Sequence, residues 1–218
     1  MRLPSATVLL ALHMASPSGH AQSELKPTLI DSIAPFSSDG KIEMTETKLL
    51  RTTEVSKTEA GVINGVHYHF YYTDGSGTFS GRPGNTGHHS EPTGTNWTTG
   101  CKKDPVTDRK HCYMQIRDLW IFVQPKGQIA VSIGHDHFPG STVTIRLDNA
   151  PPISTGSRDD GTFNKQISAK LIKQLAQAKL ATTRYMKWPY RTWVDETWEL
   201  YGLPETLQYI NWAVERIK

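Results

Sequence analysis

Cysteine is scarce in this chain: 218 residues hold two, Cys101 and Cys112. A thiolate zinc site needs more soft ligands than that, and a redox dithiol needs the two-residue spacing of Cys-x-x-Cys. Long apolar runs are missing too, since no segment reaches the ~20 continuous apolar residues that cross a bilayer, so an integral membrane protein is not expected. Charge of one sign is not concentrated either. The net charge of +3 is spread along the chain, whereas nucleic-acid binders gather a basic face, so nucleic acid is not an expected partner. The helical His-Glu-x-x-His signature is absent, as is the Gly-x-Ser-x-Gly elbow of a serine nucleophile. The glycines of residues 75–81 follow a strand-like stretch, but Arg82-Pro83-Gly84 comes next where a phosphate loop would open a helix. The acid pair Asp159-Asp160 reads as loop. Asp195 and Glu196 are neighbours on a strand and point to opposite faces. These absences nominate no catalytic residue and point away from an enzyme.

What is present is ordinary globular composition, 37% hydrophobic and 21% charged, which at this length favours one domain. The chain opens with Met1-Arg2, an apolar run over residues 6–15, then Gly19 and Ala21 in small-residue positions. This pattern predicts a secretory signal over residues 1–21, cut near Ala21, with a periplasmic or secreted domain at 22–218. In an oxidising compartment the isolated cysteine pair is expected to form a Cys101–Cys112 disulfide.

Residues 22–60 show no sustained period and read as an irregular extension. Residues 61–73, rich in β-branched and aromatic types, read as a strand. Residues 74–100 hold seven glycines and two prolines and read as a long mobile loop near the functional surface. Residues 115–123 fit a strand buried on both faces, and Pro125-Lys126-Gly127 a turn. Ile129, Val131 and Ile133 alternate with polar or small residues, as do Val143, Ile145 and Leu147, which predicts a hairpin of half-buried strands. Period then changes. Ile167, Leu171, Leu175 and Ala178 define an amphipathic helix over 164–179, capped by Asn164. Residues 192–201 return to strand, and a last helix starts at Pro204, burying Leu207, Ile210, Val214 and Ile217. The expected fold is α+β: an antiparallel β-sandwich-like sheet core with two amphipathic helices in the C-terminal half.

Two constellations suggest chemistry. His67 and His69 share one face of a strand, and His135 and His137 flank Asp136 in a connection; His88-His89 lies in the glycine-rich stretch. Imidazoles so placed suit zinc or copper, but surface and loop histidines beside aromatic neighbours are the reading favoured over metal, and then no cofactor is needed. Trp188, Tyr190 and Trp193 lie among Arg184, Lys187 and Arg191 near the end, and with Trp97 they form a candidate binding surface. Aromatic faces beside cations suit a glycan or a partner's side chains, although large aromatics also fill cores.

From Trp97 onward the chain resembles the invasion-associated locus B family of bacterial envelope proteins. The resemblance rests on Trp97 before Cys101, Cys112 opening a strand, Asp148-Asn149-Ala150-Pro151-Pro152, the mid-chain helix, and Gly202-Leu203-Pro204-Glu205-Thr206-Leu207. It implies a periplasmic or surface β-rich domain linked in some members with host-cell invasion, and it supplies no catalytic residues. The leading expectation is therefore a non-enzymatic envelope protein that binds a macromolecule of the envelope or host. A metal-binding protein and a glycan-binding module are the alternatives. Four converging imidazoles would favour the metal, and a solvent-facing row of Trp and Tyr the glycan.

Overall fold

The computed structural model describes residues 58–72, 74–87, 94–155 and 161–217. The expected signal over 1–21, most of the expected extension, and His88 and His89 lie outside the described residues.

Two antiparallel sheets and two helices make an α+β fold. The first sheet is a seven-stranded meander in chain order: β1 (Thr58–Ile63), β2 (Val66–Tyr71), β3 (Gly77–Ser80), β4 (Asn96–Lys103), β5 (Lys110–Ile116), β6 (Leu119–Gln124) and β7 (Gln128–Ile133). Alternation decides its faces. Val66, Tyr68 and Phe70 are buried while His67, His69 and Tyr71 are half-buried on the other side. Across the strands, Met114, Ile121 and Val131 form one fully buried row. Cys101 and Cys112 stand opposite each other in β4 and β5 and form the expected disulfide.

The second sheet has four strands in the order β11-β10-β8-β9. They are β8 (Val143–Leu147), β9 (Ile153–Thr155), β10 (Leu180–Lys187) and β11 (Thr192–Glu199). Helix α1 (Lys165–Leu175) packs on β7, with Ser168 Oγ accepting the Val131 N–H at 3.1 Å. Asn164 caps it as expected, its side chain accepting from the Ile167 amide at 2.9 Å. Helix α2 (Leu203–Val214) covers the inner face of the first sheet. Its Tyr209 ring lies 4.6 Å from Phe70 and 5.0 Å from Phe79. The four residues expected on its buried face are all buried.

Several local expectations are corrected. Residues 61–73 are not one strand, because Asn64 and Gly65 take positive φ of 49° and 83° and turn the chain between β1 and β2, the geometry a two-residue hairpin needs. Arg117 at φ 49° does the same between β5 and β6, and Trp120 and Phe122 are only half-buried, so this segment buries one face. The two alternating runs at 128–133 and 143–147 do not pair. β7 pairs with β6, and β8 with β10 and β9, so the connection after Ile133 carries the chain from one sheet to the other. Helix α1 ends at Leu175, short of the expected residue 179, and residues 180–187, to which periodicity assigns no element, form a strand.

The largest correction concerns residues 74–100. They contain β3 and the start of β4, and Phe79, Ser80 and Trp97 are fully buried. Glycine serves close approach here: a Cβ on Gly77 would sit 2.6 Å from Phe70 Cβ and 2.7 Å from His69 O. Replacing residues 75–87 by a Gly/Ser linker is expected to abolish cooperative unfolding, and Phe79→Ala to cost about 3–5 kcal/mol. Denaturant melts of both variants check this; wild-type midpoints would restore the loop reading.

Candidate ligand-binding face

The register of the second sheet sorts its side chains into two faces. Ala181, Thr183 and Tyr185 are buried, so Thr182, Arg184 and Met186 project from the opposite side of β10. Their partners on β11 are Thr197, Asp195 and Trp193, and on β8 Arg146 faces Thr182 while Thr144 faces Arg184. Ser154 on β9 completes the row through Thr144. Apart from half-buried Thr144, Thr182 and Met186, these residues are exposed.

Their side chains are already organised. Arg184 donates from Nε and Nη2 to the two Asp195 carboxylate oxygens at 2.6 and 2.7 Å. These hydrogen bonds hold the Asp195 carboxyl below its ordinary range, so it stays ionised. The same guanidinium lies 5.9 Å from the Trp193 ring centroid. Hydroxyls pair across strands, Thr182 with Thr197 at 3.0 Å and Thr144 with Ser154 at 2.8 Å. In the β10–β11 turn Trp188 is 50% and Tyr190 82% exposed, and Trp193 beside it is 50% exposed. Phe138 sits between Trp188, 5.5 Å away, and the Arg191 guanidinium, 4.5 Å from its centroid. The turn is fastened to the inter-sheet connection, where Trp188 N donates to Asp136 O at 2.6 Å and Phe138 N to Met186 O at 2.8 Å.

Behind this face the two sheets meet over ionisable groups. Arg117 of the β5–β6 turn pairs with Glu196 of β11 at 2.8 Å. The Tyr185 hydroxyl donates to Asp118 over a long 3.4 Å. Burial, with the Asp118 charge second, pushes the Tyr185 phenol up to about 12. Burial also raises the Asp118 carboxyl, and the Glu196 charge adds to it; His135 and Lys187 pull the other way.

The two expected constellations fare differently. His67 and His69 line a cleft of about 480 Å³ on the outer side of β1 and β2, with Tyr71 edge-on to His69 at 4.9 Å. His137 is buried at the inter-sheet connection instead, its Nε2 2.7 Å from the Ile133 carbonyl oxygen and its ring against Tyr185. His135 is exposed. The four imidazoles do not converge on one site, and among the described residues no group of three or more His, Cys, Asp or Glu is placed to hold a metal ion. Trp97 also leaves the candidate surface: it is fully buried and donates from Nε1 to Tyr201 O at 2.8 Å. Trp188, Tyr190 and Trp193 are brought together at one end of an exposed sheet face. Arg184 is one of the cations expected beside these aromatics, whereas Thr144, Arg146, Ser154, Thr182, Asp195 and Thr197 carry no contiguous sequence signal for this face. Alternation over 143–147 already turned Thr144 and Arg146 outward, but without β10 there was no sheet for them to belong to.

Compared with known proteins, the chain matches no family model, no curated protein and no solved structure. The likeness of residues 97–218 to the invasion-associated locus B family therefore stands on the residues quoted for it alone.

Asp118 generates a pH test. A carboxyl whose folded pKa is raised favours folding fully below its unfolded pKa, and that contribution is lost as pH rises through the folded value. Asp118→Asn is thus expected to raise the melting temperature at pH 7 by a few degrees and to give no gain at pH 3. Calorimetry at the two pH values checks it, and a lowered midpoint at pH 7 would contradict the desolvation account.

Proposed function

We propose that this chain is a non-enzymatic, exported binding protein that holds a carbohydrate on the outer face of its four-stranded sheet. One observation carries the reading: cross-strand hydroxyl pairs, a forked Arg184–Asp195 pair and exposed Trp193 share that face, beside Trp188 and Tyr190 in the turn. A sugar presents hydroxyls around its rim and slightly positive C–H bonds on its ring faces. The hydroxyls exchange hydrogen bonds with Thr, Ser, Arg and Asp, and the C–H faces stack on the negative face of indole. An apolar protein partner would strand these polar groups without hydrogen bonds, which is costly.

Binding rather than hydrolysis fits the electrostatics. Glycoside cleavage uses one carboxyl kept protonated as an acid, whereas Asp195 is held ionised by Arg184. Export is supported by the signal-like start and by the Cys101–Cys112 disulfide, which belongs to oxidising compartments. The family resemblance points the same way as to compartment, to a bacterial envelope protein, where a polysaccharide of the envelope or host is within reach. Among the described residues, no helix is long and apolar enough to cross a membrane.

The test is a glycan array followed by calorimetry on the tightest soluble hit. Trp193→Ala is expected to weaken binding roughly tenfold or more, the scale of one lost aromatic stacking contact, with an unchanged circular dichroism spectrum. Unchanged affinity in Trp193→Ala and Trp188→Ala, or no binding to any arrayed glycan, would contradict the reading.

A further inference from the structure

Among the cations of this face, Arg146 differs from Arg184. Arg184 is committed to Asp195 through two donors. Arg146 is exposed and makes no ion pair among the described residues. The carboxylates nearby are engaged or distant. Asp148, two residues along, accepts from the backbone N–H groups of Lys179 and Leu180 at 3.1 and 2.9 Å. Glu199 is on the same face but two strands away and in the next row, about 10 Å or more at sheet spacing. Directly across from Arg146 stands Thr182, whose hydroxyl already pairs with Thr197. The face therefore offers an unpaired, forked, permanently charged donor inside a field of hydroxyls.

We infer that the ligand is an acidic glycan, whose ring carboxylate is taken by Arg146 while a sugar farther along the same chain stacks on Trp193, two strands and two rows away, roughly 16 Å at sheet spacing. The inference rests on the carbohydrate reading and narrows it to sugars of the uronic-acid type. A guanidinium grips a carboxylate through two parallel N–H donors, which a lysine cannot reproduce. The distribution of charge favours this ligand over an anionic lipid surface. Asp195 and Glu199 lie within the same face and would be pressed against lipid phosphates, whereas a single sugar carboxylate can be set apart from both.

The experiment measures binding of the full protein to oligogalacturonate, oligomannuronate and hyaluronan fragments, each beside its carboxyl-methyl ester. The ester keeps every ring and hydroxyl and removes only the charge. At least one acid form is expected to bind ten times more tightly than its ester, a preference that shrinks as salt is added. Arg146→Gln should bring the acid form and its ester to the same affinity, and Arg146→Lys should restore part of the difference. Equal binding of acid and ester, or binding of neutral glycans only, overturns the acidic ligand and leaves the carbohydrate reading standing. No binding to any glycan overturns both. Binding to phosphatidylglycerol vesicles without binding to the acid glycans overturns the inference in favour of a membrane surface.

Discussion

Tyr185 lies buried where the two sheets meet, packed edge-on to His137. Gly134 at φ 72° passes so close that a Cβ there would sit 2.8 Å from the Tyr185 ring. This packing fixes the parity of β10. With Tyr185 inward, Thr183 and Ala181 are inward too, and Thr182, Arg184 and Met186 must take the outer face. A slip of one residue would bury Arg184 and expose Tyr185, dismantling the forked pair with Asp195 and the proposed binding face together. The inter-sheet connection at Gly134–Phe138 is thus the joint on which the geometry of the proposed face depends.

The first sheet acts as the frame. Its inner face is filled by rows of aliphatic and aromatic residues and sealed by Tyr209 and Trp212 of α2. The Cys101–Cys112 disulfide joins neighbouring strands in the same layer. Arg117 and Asp118, at the end of one of its hairpins, reach across to Glu196 and Tyr185 of the second sheet. The frame holds the smaller sheet from behind through these polar contacts and through the buried core the two sheets share, and its front is left to solvent and, in the proposed function, to the ligand.

The class of fold, both helices, the disulfide and the buried face of α2 were legible in the sequence, because each follows from local periodicity or from residue chemistry. Pairing was not. Residues 128–133 and 143–147 look like a hairpin when read alone, and only the docking of Phe138 and Lys187 onto each other's segments shows that the chain changes sheets between them. The glycines of 74–100 carried a misleading signal, since glycine marks flexible chain and tight backbone contact alike. Trp188, Tyr190 and Trp193 were identifiable as a candidate surface, but Trp97 was not separable from them without burial. Arg146 and the hydroxyl pairs stayed hidden because a sheet face made of one side chain from every second residue leaves no contiguous motif.

The central claim is that ligand meets the outer face of the four-stranded sheet. Chemical-shift mapping of the isotope-labelled protein titrated with a bound oligosaccharide tests it most directly. The account predicts perturbations centred on Thr144, Arg146, Thr182, Arg184 and the Trp193 indole, with the first sheet silent. Perturbations centred instead on His67, His69 and the cleft beside β1 would contradict it.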